Sequence, residues 1–232
     1  MAVYAIADLH LSDSMDKSMD IFGKHWENHA DKIEAAWREL ISSHDTVLIP
    51  GDISWAMKLS EAQPDLDRIG RLPGEKYMIR GNHDYWWSSI NKVRSVLAPG
   101  LHAIQNDSFL LADGTAICGT RGWIVPGAAA YEQDDEKIYL REVGRLKLSL
   151  DHARDRGAER IIAMTHYPPF NDRQEPNEFT RLFTQYGVEQ VVYGHLHGVG
   201  GVSYRVKELD GVQYKLTSCD YLRFVPALIR EE

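Results

Sequence analysis

Three features of the 232-residue chain predict an α/β fold. Short apolar runs alternate with amphipathic segments, the pattern of stacked strand and helix layers. Two strand-like runs near the end flank Asp210-Gly211, a type I′ hairpin dipeptide. No repeat, low-complexity tract or linker breaks the pattern. One domain over residues 1–232 is therefore expected, long enough to bury a substantial core.

The elements follow in chain order. Val3–Ala7 reads as a buried strand. Asn28–Ser42 reads as a helix, with Ile33, Trp37, Leu40 and Ile41 on one face. Strands follow at Thr46–Ile49, Tyr77–Ile79 and Ala116–Gly119. A long helix is expected over about Glu136 to Arg156, where Ile138, Leu140, Val143, Leu146, Leu148 and Leu150 mostly keep helical spacing; Gly157 is its stop. Strands at Arg160–Thr165 and Gln190–Tyr193 precede the hairpin of Ser203–Leu209 and Gln213–Ser218. Three connections are long, Leu11–His25, Ile124–Asp135 and Tyr167–Asn177, and long loops in compact domains tend to be functional.

Composition narrows the function. The chain is 44% hydrophobic and 26% charged, as in a soluble globular protein, and has no apolar run of bilayer length. Its start, MAVYAIADLHLSD, lacks the basic and apolar regions of a signal peptide. Cys118 and Cys219 stand apart, which argues against a disulfide framework or a thiolate zinc site and for a reducing cytoplasm. A formal net charge of −8 argues against general nucleic-acid binding.

The polar residues of interest sit where apolar runs end. The first run ends in Asp8-Leu9-His10 and the second in Gly51-Asp52. The third ends in Gly81-Asn82-His83-Asp84. Later runs end in Thr165-His166 and in Gly194-His195-Leu196-His197. Sites in open α/β sheets collect at the carboxyl ends of strands. If these strands share a layer, the clusters converge on one cleft. In an extended chain residues i and i+2 point the same way, which would aim Asp8 with His10, and His195 with His197. Asp52 is a natural bridging carboxylate, because paired catalytic metals lie about 3.5–4 Å apart.

In this order the motifs D-x-H, G-D, G-N-H-D, H and G-H-x-H resemble the calcineurin-like metallophosphoesterase superfamily, from Asp8 to His197. The resemblance implies a four-layer α/β sandwich: two mixed β-sheets face to face, flanked by helices. It implies two divalent transition-metal ions (Mn, Fe, Zn, Ni or Co). Asp8, His10, Asp52 and His197 would hold one. Asp52 would bridge to the second, held with Asn82, His166 and His195. His83 would be the acid–base residue beside the ions. Asp84 would either orient His83 or cap a helix beginning near Tyr85; Tyr85, Trp86 and Trp87 read as packing residues.

This implies hydrolysis of phosphomonoesters or phosphodiesters, nucleotides included, by in-line attack of a metal-bridging hydroxide. Two ions of formal charge about +4 against about −3 from Asp8, Asp52 and hydroxide would leave the site suited to phosphate. His83 would protonate the leaving oxygen. Protein serine/threonine phosphatases of the superfamily carry Asp-Arg shortly after G-D. Here the run is Gly51-Asp52-Ile53-Ser54-Trp55-Ala56, so the usual phosphate-binding arginine is missing. Arg121 and Arg173 are the candidate replacements, ahead of Arg80 and Arg223. The acidic run Glu132–Glu136 is a substrate lid or a helix start. His25, His29, His44, His102 and His152 fall outside the motifs and read as surface or structural. The expected partner is a small phosphorylated substrate. The competing readings are a nuclease, which would need a basic groove not evident here, and a non-catalytic metal-binding module.

Overall fold

The computed structural model describes residues 1–15, 17, 19–198 and 207–231. In chain order the strands are β1 (Ala2–Ala5), β2 (Thr46–Ile49), β3 (Glu75–Met78), β4 (Leu101–Ala103), β5 (Phe109–Leu110) and β6 (Thr115–Thr120). Then come β7 (Arg160–Thr165), β8 (Gln190–Tyr193), β9 (Lys207–Leu209), β10 (Val212–Leu216) and β11 (Ala227–Glu231). The α-helices are α1 (His29–Leu40), α2 (Leu59–Gly70), α3 (Ile90–Arg94), α4 (Asp135–Asp155) and α5 (Glu178–Tyr186).

Two mixed sheets face each other. One has the order β11-β1-β2-β3-β4 and the other β5-β6-β7-β8-β10-β9. In each the central strands are parallel; β11 is antiparallel at one edge of the first sheet, and β5 and β9 at both edges of the second. Strand side chains alternate between two buried faces. Val47 and Ile49 point to the helices of the first sheet, and Leu48 between them points to the second sheet. Likewise Ile161 and Ala163 face helices, while Ile162 and Met164 face the opposing sheet. Period-2 alternation with both faces apolar is what a strand covered on both sides requires. Three apolar clusters result. Ile33, Trp37, Leu66 and Ile69 of α1 and α2 cover one sheet, and Leu146, Leu150, Phe179 and Phe183 of α4 and α5 cover the other. Val3, Leu48, Ile117, Ile162 and Val192 fill the space between the sheets. This is the four-layer sandwich.

The local signals explain most boundaries. Asp210 and Gly211 both have positive φ (52° and 78°), as a type I′ turn demands, and join β9 to β10. Of the predicted strand Ser203–Leu209, residues 203–206 lie outside the described residues. Gly157 has φ 74° and ends α4, with its N–H donating to the Arg154 carbonyl. Asn177 caps α5, accepting from the N–H groups of Phe179 and Thr180.

Two helical faces differ from expectation. Leu40 is exposed on α1, and Leu140 and Leu148 are exposed on α4. The buried face of α4 is Tyr139, Glu142, Leu146, Ser149, Leu150 and Ala153. It keeps the i, i+3, i+4 rule but includes Glu142 and Ser149, which an apolar count skips. The run Glu132–Glu136 is the helix-start alternative: Asp135 begins α4 and accepts from Glu132 N–H and Trp123 Nε1–H. Helices α2 and α5 and strands β4, β5 and β11 were not expected from the pattern.

Candidate metal centre

The candidate ligands gather where the two sheets are stitched together. Past β1 the backbone leaves its own sheet. Ala7 N–H donates to Thr217 C=O (2.7 Å), and Cys219 N–H donates back to Ala7 C=O (3.0 Å). Asp8 N–H then donates to Gly51 C=O and His10 N–H to Asp52 C=O, both at 3.0 Å. So β1, β2 and β3 bring Asp8, His10, Asp52 and Asn82 from one sheet, while β7 and β8 bring His166, His195 and His197 from the other. The convergence is across two sheets, not within one layer.

The i, i+2 argument also needs correction. Asp8, His10, Asp52 and His195 all have positive φ (59°, 45°, 53° and 73°). These residues are not in extended chain. Each sits in a sharp left-handed turn, a conformation that is costly for non-glycine residues and clusters at functional sites. Two glycines make room for the turns. A Cβ on Gly81 would strike the Asp52 carboxylate, and one on Gly194 would strike Asp8 and lie 2.6 Å from the Ala7 Cβ.

Asp8 and Asp52 are almost wholly buried. Asp8 accepts His195 N–H on both oxygens (3.1 and 3.0 Å), and Asp52 Oδ1 accepts His83 N–H (2.8 Å). Asp52 Oδ2 lies 3.9 Å from His10 Nε2 and 3.4 Å from His166 Nε2. On one side, His10 Nε2 and His197 Nε2 face each other at 3.2 Å, and His197 Nε2 is 3.7 Å from Asp8 Oδ1. On the other, Asn82 Oδ1 lies 2.6 Å from His166 Nε2 and 2.9 Å from His195 Nδ1. Asp8, His10 and His197 form one group able to hold a cation, and Asp8, Asp52 and His166 form another.

The outer contacts set which ring nitrogen faces inward. His166 Nδ1 lies 3.0 Å from Pro50 C=O, an acceptor only, so Nδ1 carries the proton and Nε2 offers its lone pair. His197 Nδ1 likewise faces Asp220 Oδ1 at 3.0 Å, a carboxylate–histidine pairing common behind metal-bound imidazoles. Asp220 is held in turn by Gly198 N–H (2.8 Å). Asp220 was missed in the sequence. It lies four residues past β10, after Thr217, Ser218 and Cys219, and no apolar run leads into it.

Electrostatics fit a cation. Burial pushes the Asp8 carboxyl up, and the Asp52 charge pushes it further; burial also raises Asp52. Burial drives the His166 and His195 imidazoles down to about 3 and lowers His10 well below its ordinary value. Burial lowers His197 too, but Asp220 and Asp8 outweigh it and the net shift is upward. Neutral imidazoles and crowded buried carboxylates form a mixed N/O donor set suited to divalent transition metals. A bound cation reverses the local penalty on both carboxylates.

Other predicted residues are placed as follows. His83 lines a cavity of about 360 Å³ with His10, Trp26, Trp55 and Phe22, its ring 4.6 Å from that of Trp55, and its Nδ1 is buried with no acceptor or donor. Asp84 takes neither expected role. Its buried carboxylate accepts from Ile53 N–H (2.8 Å), Gly81 N–H (2.7 Å) and Trp86 Nε1–H (2.9 Å), not from His83, and the next helix begins only at Ile90. It ties the Asp52 loop to the Asn82 loop. Trp86 and Trp87 pack in the core, whereas Tyr85 is half exposed. Arg173 is exposed and forked onto Glu175 (2.9 and 3.0 Å), which does not favour a substrate role. Arg223 is exposed. Arg121 is mostly buried; its carbonyl accepts both His166 N–H and Tyr167 N–H (3.0 Å each), and its side chain joins Arg80 in a separate cavity. His29 is buried with Nε2 at 3.0 Å from Leu9 C=O, His102 pairs with Glu75, His152 accepts from Ser108 N–H and His44 meets Ser43. His25 lines the aromatic cavity instead.

The three long connections build the walls. Leu11–His25 carries the 3-10 turns that present Met19 and Phe22 to the aromatic cavity. Ile124–Asp135 and Tyr167–Asn177 line a second cavity of about 220 Å³ that reaches His195.

Comparison with known proteins identifies a family and a shared fold. A family model described as Calcineurin-like phosphoesterase matches residues 1–199. A phosphopantetheinyl hydrolase from Mycobacterium tuberculosis has a similar structure, with TM-score 0.58 and 16% identity over 100% of this chain and 96% of that one. A Thermus thermophilus protein is similar at TM-score 0.54 and 11% identity, over 93% and 88%. A protein of unknown function from Aquifex aeolicus is similar at TM-score 0.51 and 14% identity, over 98% and 95%. At these identities the likeness concerns the fold. No curated protein matches significantly.

Two measurements test the geometry. Asp84→Asn should cost about 2–3 kcal/mol in urea unfolding, because an amide cannot satisfy every backbone donor the carboxylate holds. The second test is pH. Asp8 is raised to about 8, so the folded state keeps a proton that the unfolded state releases. Its stabilising effect is lost as pH climbs. His166 and His195, depressed from 6.5, act in the opposite sense only below that value. Chelator-treated protein should therefore lose thermal stability between pH 6.5 and 8 in a calorimetric series, and Mn²⁺ should flatten that slope.

Proposed function

The chain belongs to the calcineurin-like phosphoesterase family, and from that premise we propose that it is a dinuclear-metal hydrolase of small phosphomonoesters or phosphodiesters. The observation that carries this reading is spatial. Two groups able to hold a cation meet at Asp8, while His83, which belongs to neither, faces the adjoining aromatic cavity with a ring nitrogen unpaired. One ion would be held by Asp8, His10, Asp52 and His197, the other by Asp52, Asn82, His166 and His195. Bound divalent ions supply positive charge against phosphate oxygens and acidify an attacking water.

The chain's own groups do the rest. His83 delivers a proton to the leaving oxygen during in-line displacement at phosphorus. Its backbone N–H is tied to Asp52, so acid and centre keep a constant spacing. Asp220 holds His197 in the tautomer that presents Nε2. Trp26, Trp55, Met19 and Phe22 receive the apolar part of the leaving group on the side where His83 waits. The hydrolase named for phosphopantetheinyl chemistry supports phosphoester cleavage in general, at an identity too low to carry its substrate across. Residues 1–232 are read as one such domain, and the free thiols of Cys118 and Cys219 suit a reducing cytoplasm. Among the described residues no helix is long and apolar enough to cross a membrane.

The test is a paired rate measurement on protein stripped of metal and reloaded with Mn²⁺. p-Nitrophenyl phosphate and bis-p-nitrophenyl phosphate are offered side by side. His83→Ala should keep the metal content of the wild type and lose turnover by about 10²–10⁴-fold; loss of metal on that change would remove His83 from the proton role. Cleavage of neither ester above the variant's rate would favour the non-catalytic module. Phe22→Ala should raise KM for p-nitrophenyl phosphate by about 3–10-fold with kcat nearly constant, since it removes apolar contact alone.

A further inference from the structure

A third cavity beside the centre is built for an anion. It has a volume of about 260 Å³ and lies between the ends of β3, β4 and β6 and the first half of α4. Arg80, Arg121, Arg141 and Arg145 line it, against Glu142 as the one acidic residue among the described lining residues. Glu142 is fully buried, and its carboxylate is shared: Arg145 Nη1 donates at 2.8 Å, Thr120 Oγ1 at 2.7 Å, and Arg121 and Arg141 stand 3.6 Å away. One carboxylate thus faces several guanidinium groups, and an excess of positive charge remains. The Nε–H donors of Arg80 and Arg121 are buried and meet no acceptor. Arg121 is only 15% exposed and stacks on Trp123 at 4.5 Å, which sets its plane. Unpaired guanidinium donors around a walled cavity are costly unless an anion completes them. Planar forks of this kind match phosphate oxygens.

Position says which anion. Arg80 precedes Asn82 by two residues, a span of at most about 7 Å, and Arg121 C=O holds the N–H groups of His166 and Tyr167. The cavity therefore shares two loops with the candidate metal centre. We propose that it binds a second phosphate of the same substrate, so that the natural substrate is a bisphosphorylated small molecule. This rests on the phosphoesterase reading for its reacting end.

The test reads binding apart from turnover. In the metal-loaded His83→Ala protein, calorimetry compares adenosine 3′,5′-bisphosphate with adenosine 5′-monophosphate. The bisphosphate should bind about tenfold or more tightly, the worth of one well-made charge-assisted contact. Arg80→Gln should abolish that advantage. Arg141→Gln, at a half-exposed helix position where folding is safe, should reduce it. Equal affinity for the two nucleotides overturns the proposal, as does an advantage that survives both substitutions. Inorganic sulfate is titrated as well. Sulfate binding that is lost in Arg80→Gln, with no bisphosphate advantage, would mark a site for a free anion and overturn the substrate assignment. Failure of the phosphoesterase reading is seen separately, as absence of p-nitrophenyl ester cleavage by the wild type.

Discussion

Everything at this site depends on two carboxylates, Asp8 and Asp52, buried at the seam of the two sheets. Burying such charges without compensation is expensive. The chain meets the cost with backbone donors, from His195 to Asp8 and from His83 to Asp52. It then surrounds them with imidazoles, of which burial holds His10, His166 and His195 toward the neutral form. Asp8 with His10 and His197, and Asp8 with Asp52 and His166, are thereby placed as groups able to hold a cation. The left-handed turns at Asp8, His10, Asp52 and His195, and the missing Cβ atoms of Gly81 and Gly194, are the steric terms on which it stands.

Around that seam the sandwich sorts three environments. The loop after β1 supplies an aromatic cavity against His83. The loops before α4 and after β7 supply a mostly apolar one reaching His195. The ends of β3, β4 and β6, with α4, supply a cationic one. A substrate with an apolar part and more than one phosphate would find a matching surface for each piece. Asp84 keeps the surfaces in register by holding the Asp52 and Asn82 loops together from within the core.

The legible parts of the site were those written as contiguous residues after an apolar run. Asp8 and His10, Asp52, Asn82 and His83, His166, and His195 and His197 are all of this kind. Asp220 passed unread because it follows β10 only after Thr217, Ser218 and Cys219, and a lone Asp there carries no motif. Asp84 was legible as a polar residue but not as a bracket, because its partners at Ile53 and Gly81 come together only through parallel pairing of β2 with β3. The Arg80 cavity was invisible for the same reason. Its walls come from three strand ends and one helix, and no local spacing connects them. The α4 face shows a further limit: hydrophobic counting skips a buried Glu142 whose partners arrive from β6 and from its own helix.

By itself the sequence determined the layering and the chain order of the candidate ligands. These follow from local periodicity, turn chemistry and side-chain type, which act over a few residues. Only the tertiary structure decided that the ligands come from two facing sheets, that left-handed turns rather than extended strands aim them, and that Arg121 belongs to a cationic cavity. Those are matters of long-range pairing, burial and shared counter-charge. They depend on residues that are distant in the chain and adjacent only once the sandwich has closed.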